Sequence, residues 1–378
     1  MTCVYCRASN RLFAVLFATL AGAGNGACSQ IAESVSTQDV QLYHHSELGF
    51  SIQVPAGWSL PEEQPMGIGT TVSFRAPNSS AKIEIGVHTA SFKEHDTLSS
   101  WSRKFDEVSA VYGPRETTAA PDEQLRVSGE AALLMSGTTP ENTYRMVNIR
   151  RGDAVWFVWS NLSDSEAVIF DRAIESFQFD DTAPRTLAKV YGPDYRPLDL
   201  DHYPSSRVFA IQAPTTSTNL VGTYRLPFVG SSGISTGPGC SATHQGAQYE
   251  AIDYGMLTNT KVRAAYSGWV SFWGWNYEGF GNLLKIYHQN NEETFYAHLS
   301  GYAGPIYNGQ ARSTGCTVAY SGCTGTCTGP HLHFAVRVNG WAVSIRNLPT
   351  TTWYTYNNPP CNPNGADGGA TGPASPCP

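Results

Sequence analysis

The sequence predicts an α+β multidomain chain: an N-terminal α/β module followed by an all-β domain built on an antiparallel sheet. Three observations carry this. Strand-like alternation between residues 48 and 87 gives way to helical spacing from Leu98 to Val108. A Pro-, Thr- and Ser-rich stretch then separates two halves of different character. Beyond it, the apolar segments alternate with period two and no helix candidate interrupts them. At 378 residues the chain has room for two ordinary domains with flanking segments.

The first segment reads as a leader. Arg7 and Arg11 precede an apolar run from Leu12 to Ala21, and Gly22, Ala23, Gly24, Gly26 and Ala27 follow, which is the charge, apolar and small-residue order of a secretory signal. The run is too short to span a bilayer. Residues 1–27 are therefore expected to be removed, which places the protein outside the cytoplasm, in the cell envelope or secreted. Nine cysteines occur, at 3, 6, 28, 240, 316, 323, 327, 361 and 377, and cleavage before Cys28 leaves seven. With Cys28 as a lipid anchor, the other six could form three disulfides in an oxidising compartment, with about 15 connectivities open. Gly26-Ala27-Cys28 resembles the end of a lipobox, with Asn25 where a Leu-like residue is expected. The other reading is ordinary cleavage near Ala23 or Ala27.

After a polar connector over 28–40, residues 41–181 are expected to form the α/β module. Leu48–Pro55, Thr71–Phe74 and Lys82–Val87 alternate like half-buried strands. Leu98, Trp101, Phe105 and Val108 make one apolar helical face. Tyr144–Ile149 and Ala154–Trp159 read as a hairpin about Arg151-Gly152-Asp153, a tripeptide that is turn chemistry here rather than an adhesion signal. A second helix is capped by Ser163 with Glu166 three residues later, and is expected to carry Val168, Ala173 and Ile174 inward. His44, His45, His88 and His95 are scattered and read as surface or satisfied core. The order of elements, with Gly49-Phe-Ser-Ile-Gln-Val-Pro-Ala-Gly-Trp58 near the start and Ser176-Phe-Gln-Phe179 at the end, resembles the PsbP-like module of exported bacterial proteins. That resemblance implies a binding or positioning role.

Residues 182–221, with Pro184, Pro193, Pro197, Pro204 and Pro214, read as a linker with little structure of its own. His202 lies within it and reads as solvated. The all-β domain spans 222–356, with strands expected over Val262–Phe272, Leu283–His288 and Thr294–His298, the last two joined through Asn290–Glu293. Residues 357–378, rich in Pro, Gly, Ala and Asn, read as a tail. A net charge of −7 without a basic run argues against nucleic acid and anionic membrane surfaces as partners.

Chemistry concentrates at Gly329-Pro-His331-Leu-His333-Phe334. Leu332, Phe334, Val336 and Val338 alternate as the core face of a strand, so His331 and His333 share the opposite face. Asn339-Gly340 supplies the turn that follows. The same domain offers His244, Asp253, His288 and His298. Asp253 stands in the apolar run Ala251-Ile-Asp-Tyr254, where an unpaired carboxylate is costly to bury and a metal-bound one is neutralised. Two imidazoles, one carboxylate and an open fourth position suit catalytic zinc.

His244 followed by Ala251-Ile-Asp253-Tyr, Ala264-Ala-Tyr-Ser-Gly268-Trp-Val270, Tyr296-Ala-His298-Leu-Ser300 and Thr328-Gly-Pro-His331-Leu-His333-Phe334 resemble, in order, the lysostaphin-like (LytM-type) zinc endopeptidases over residues 222–345. The resemblance implies an antiparallel sheet carrying a groove, with Zn2+ held by His244, Asp253 and His333, and His298 and His331 as the catalytic histidines. It also implies hydrolysis of peptide bonds, typically in peptidoglycan stems or cross-bridges. Two departures stand out. Eight residues separate His244 from Asp253 where many relatives have three, an insertion that loop entropy tolerates. Cys323 and Cys327 sit in the loop before His331, close enough for a local disulfide that would stiffen the groove wall; a second metal site on Cys316, Cys323 and Cys327 is disfavoured in an oxidising compartment.

In that family His288 corresponds to a histidine that does not bind metal, and it reads as structural or groove-lining. Trp269, Phe272, Trp273, Trp275, Tyr277 and Phe280 read first as core and loop packing, and second as a wall of the groove. Two other functions compete with a wall hydrolase: an inactive zinc-binding regulator of other wall hydrolases, which the presence of both His298 and His331 opposes, and a protease of Gly-rich extracellular proteins.

Overall fold

The computed structural model describes residues 39–345 apart from 60, 62–70, 112–117, 120–124, 139–142, 194, 202–219, 221–223, 231, 240–243 and 305. The predicted leader, Cys28, His202, Cys240 and the tail with Cys361 and Cys377 lie outside the described residues, as does most of the connector. Among the described residues no helix is long and apolar enough to cross a membrane.

The chain is mostly β with few helices. The N-terminal part holds a seven-stranded antiparallel sheet in the order Val72–Arg75, Lys82–Val87, Ala154–Ser160, Thr143–Arg151, Glu130–Thr138 and Thr118–Ala119, with Arg126–Val127 beside Glu130–Thr138. A three-stranded sheet of Val40–His45, Phe50–Pro55 and Gln178–Phe179 and the helix Ala167–Ser176 cover one face of it. The helix Leu98–Ser109, capped by Thr97, covers the other. Its Leu98, Trp101, Phe105 and Val108 are all buried, as their spacing predicts. In the second helix the inward residues are Phe170 and Ala173; Val168, expected inward, is exposed. The Ser163–Glu166 capping box is present but opens a short 3₁₀ turn ahead of the α-helix.

The C-terminal part is an eight-stranded antiparallel sheet in the order Ile234–Thr236, Ile252–Gly255, His331–Val338, Glu292–Leu299, Gly281–Tyr287, Gly268–Asn276 and Ala311–Arg312, with Trp341–Ala342 paired to His331–Val338. A small sheet of Lys261–Arg263, Thr317–Tyr320 and Gly301–Tyr302 lies beside it. On the His331–Val338 strand, Leu332, Phe334, Val336 and Val338 enter one core with Ile252, Tyr296 and Leu284, so the histidines stand on the opposite face.

The two parts share a core, which the sequence reading did not expect. The described residues from Asp39 to Ile345 belong to one compact unit. The Ala154–Ser160 strand is buried on both faces: Trp156 and Val158 turn to the three-stranded sheet that holds Phe50–Pro55, while Val155, Phe157 and Trp159 turn to the C-terminal domain. Phe157 stacks on Trp275 at 4.6 Å, Phe105 lies 5.6 Å from Tyr277, and Trp159 Nε1 donates to Tyr277 O at 3.2 Å. Of the six aromatics considered for a groove wall, Phe272, Trp275, Tyr277 and Phe280 belong to this shared core. Trp273 lies in the core behind the sheet, and Trp269 is exposed.

The predicted linker is also partly structured. Leu187–Tyr191 is a helix capped by Thr186, Leu198 N donates to Thr89 O, and Tyr195 packs against Trp273 at 5.5 Å. Proline signals mark where a helix must stop, but Tyr191, Tyr195 and Leu198 carry enough apolar surface to dock this segment over the junction.

Candidate active site

Cross-strand register builds the centre. Asp253 pairs directly with His333, and Gly255 with His331. Directly opposed residues on antiparallel strands place their side chains on the same face within about 5 Å. Asp253 Oδ1 accordingly lies 2.9 Å from His333 Nδ1. His244 arrives from the loop before a 3₁₀ turn at Gly246–Gln248, with Nε2 3.1 Å from Asp253 Oδ1 and 3.3 Å from His333 Nδ1. His244 and His333 are fully buried and Asp253 nearly so.

The hydrogen bonds around this trio assign the proton of each neutral imidazole. His244 Nδ1 faces Gly237 O at 2.7 Å. A carbonyl only accepts, so Nδ1 carries the proton and Nε2 presents a lone pair. His333 Nε2 likewise donates to Gln248 Oε1 at 3.2 Å, leaving Nδ1 unprotonated. Two imidazole lone pairs and a carboxylate thus converge on one point with no proton between them. Such an arrangement is repulsive unless a cation sits there. The donor set, two nitrogens and one oxygen, is that of a catalytic zinc site, and the residues fit the ion the sequence implies.

Two more histidines border the trio. His331 Nδ1 donates to Gly329 O at 2.8 Å and its Nε2 lies 3.7 Å from Asp253 Oδ1. His298 Nδ1 donates to Thr324 O at 2.8 Å, and its ring centre lies 4.6 Å from that of His331. Each therefore presents Nε2 without a proton beside the metal ligands. His298 holds a positive φ of 57°, a conformation that costs a non-glycine residue on the order of 1–3 kcal/mol and marks a position held by its surroundings. Burial, then the neighbouring His331 and His333, keeps the His298 pKa far below the usual imidazole range, and burial pushes His333 down to about 4.

The structure thus brings together all five residues named from sequence: His244, Asp253, His298, His331 and His333. His288 stands apart, buried with Nδ1 on Ser267 O and Nε2 on Thr294 Oγ1, both at 2.9 Å, and does not line the site. His88 is buried against Asn148, His45 is buried at the end of the Val40–His45 strand, and His95 lies on the surface beside Asp201. A second cluster, His95, Asp96 and Asp201, has its carboxylates already paired with Lys93 and Lys104. Cys323 and Cys327 form a disulfide immediately before His331. Gln248 was missed from sequence; its only signal was the longer spacing between His244 and Asp253.

Residues 247–345 match the model of Peptidase family M23. The C-terminal domain is similar to this lysostaphin-like family over those residues. Asp253, His298, His331 and His333 fall inside the match, and His244 lies three residues before it. The DD-carboxypeptidase/endopeptidase Mpg of Neisseria meningitidis serogroup B is 40% identical over 101 residues, covering 27% of this chain and 23% of that protein. The peptidoglycan DD-endopeptidase ShyA of Vibrio cholerae is 35% identical over 109 residues, covering 28% and 25%, and lysostaphin of Staphylococcus simulans 32% over 105, covering 28% and 21%. The matches span about a quarter of each relative. Among solved structures, the lysostaphin catalytic domain from Staphylococcus simulans is 29% identical with a TM-score of 0.23, covering 31% of this chain and 77% of that one.

Proposed function

We propose that the protein is an exported zinc metalloendopeptidase that hydrolyses peptide cross-links in bacterial peptidoglycan. The observation that carries this reading is the convergence of His244 Nε2, Asp253 Oδ1 and His333 Nδ1 beside two histidines whose Nε2 atoms are left free of a proton. The named activities of Mpg, ShyA and lysostaphin support the substrate class. The leader, with Cys28 as anchor or with ordinary cleavage, would deliver the chain to that substrate. The PsbP-like reading gives the N-terminal module a positioning role.

His244, Asp253 and His333 would hold zinc, which would supply Lewis acidity to lower the pKa of water and to polarise a carbonyl. The chain's own residues handle the protons. His331 Nε2, its Nδ1–H fixed on Gly329 O, accepts the proton released by the attacking water and passes it to the leaving amine. His298 Nε2, fixed in the same sense by Thr324 O, faces the same region and shares in that transfer or, once protonated, stabilises negative charge developing on the carbonyl oxygen.

The test is turnover of purified, peptide-cross-linked peptidoglycan by the zinc-loaded full chain, with new amino termini identified by mass spectrometry. The reading expects cleavage that is lost in His331→Ala and on chelation. Zinc binding without release of any amine would sink it and leave the inactive regulator or a protease of Gly-rich proteins as the better account.

A further inference from the structure

The loop that orients His298 is held from the other domain. The Lys82–Val87 strand of the N-terminal module sends Lys82 and Glu84, two positions apart on one face, into the C-terminal loop at 323–325. Lys82 Nζ donates to Cys323 O at 2.5 Å and Gly325 O at 2.7 Å, and Glu84 Oε2 accepts from Gly325 N at 2.8 Å. Both side chains are fully buried. Arg75 Nη2 adds a contact to Cys323 Sγ at 3.0 Å. Together the two side chains meet three backbone polar atoms within a three-residue span of loop.

Between those anchored residues is Thr324. Its Oγ1 donates to Leu299 O at 2.8 Å and accepts from Asn282 N at 3.0 Å, and its carbonyl receives the His298 Nδ1 proton. Gly281, at φ 60°, lets the loop approach so closely that a Cβ there would lie 2.4 Å from the Thr324 carbonyl carbon. The contacts therefore run without a gap from Lys82 and Glu84, through the 323–325 backbone, to the imidazole of His298.

We propose that Lys82 and Glu84 are positioning residues of the peptidase centre, clamping the 323–325 loop so that Thr324 O keeps the His298 proton on Nδ1 and its Nε2 toward the metal ligands. The N-terminal module is then part of the active site and not a detachable partner. This rests on the reading of His298 as catalytic, and neither residue lies in the stretch that matches the peptidase family.

The test compares the zinc-loaded full chain with Lys82→Met and Lys82→Met/Glu84→Gln. The double substitution removes both charges at once. In the single one, Glu84, whose pKa burial already raises, can take up a proton without the chain unfolding. Expected are unchanged zinc content, a KM for cross-linked peptidoglycan within about twofold, and kcat lower on the order of 10–100-fold, as sub-ångström to ångström misplacement produces. Nitrogen-15 imidazole spectra should show the hydrogen-bonded Nδ1–H of His298 in the native chain and its loss or broadening in both variants. Trp159→Phe, which removes a hydrogen bond elsewhere in the same junction, should lower Tm yet keep kcat and the His298 signal. Folded variants with native kcat and an intact His298 signal would overturn the proposal, as would equal loss of kcat in Trp159→Phe. If neither Lys82 variant folds, the native spectrum still decides: a His298 proton on Nε2 refutes the clamp. Absence of turnover in the native chain would refute the peptidase reading, and the spectra would still test the clamp.

Discussion

Asp253 and His333 face each other in register across neighbouring antiparallel strands, with 2.9 Å between carboxylate Oδ1 and imidazole Nδ1. No proton lies between His244 Nε2, His333 Nδ1 and this carboxylate, so removing Asp253 leaves two neutral imidazoles and a much weaker cation site. Asp253→Ala should fold, yet bind zinc at least on the order of 100-fold more weakly in competition with a chromophoric chelator, beyond the loss usual for an outer partner. Native affinity in this variant would contradict the assignment.

Gln248 fixes the His333 tautomer from the inserted turn between His244 and Asp253. Gln248→Ala leaves the three ligands in place but frees His333 to protonate on either nitrogen. Zinc affinity should fall about 10–100-fold. An unchanged dissociation constant would show that the insertion serves only to connect.

The pH dependence of stability follows from two histidines remote from the metal ligands. Burial lowers His88 to about 3 and His288 to about 4, against 6.5 for the ordinary group. Between these values the unfolded chain binds protons that the folded chain refuses, so stability is full above pH 6.5 and declines as pH falls. Each group contributes a slope of about 1.4 kcal/mol per pH unit, His288 down to about pH 4 and His88 down to about pH 3. Urea titrations at pH 7, 6 and 5 should show the decline, and His88→Gln should reduce its slope by about half.

Trp275 is fully enclosed between Phe157 and Trp159 of the N-terminal module, whereas Trp269 is 42% exposed. Trp275→Ala should cost about 3–5 kcal/mol by denaturant unfolding. Trp269→Ala should stay within about 0.5 kcal/mol. The reverse order would mean that the two parts do not share this core.

Much of the site was legible in the sequence because its signals are local. His331 and His333 two apart on a strand, and a carboxylate in the apolar run Ala251–Tyr254, each state a face or a cost without tertiary information. What was not legible is what covers a face. Lys82-Ile83-Glu84-Ile85 reads as a half-buried strand with charges in water, yet all six residues of that strand are buried because Cys323–Gly325 answers the charges from another domain. Trp275 gave the same apolar signal whether it walls a groove or seals a junction. Residues 182–201 carry proline punctuation, which says where helices end but nothing of Tyr195 docking on Trp273. His298 could be named by motif, but its positive φ and the Thr324 carbonyl that holds it appear only once the 323–327 loop is folded against Gly281.

The measurement that tests the central claim most directly is zinc K-edge X-ray absorption on the full chain loaded with one equivalent of zinc. The account predicts a first shell of light atoms only, two imidazoles plus carboxylate and solvent oxygen at about 2.0–2.2 Å, with one imidazole missing from the fit in His333→Ala. A sulfur shell near about 2.3 Å, or a spectrum unchanged by His333→Ala, would place the ion elsewhere and contradict it.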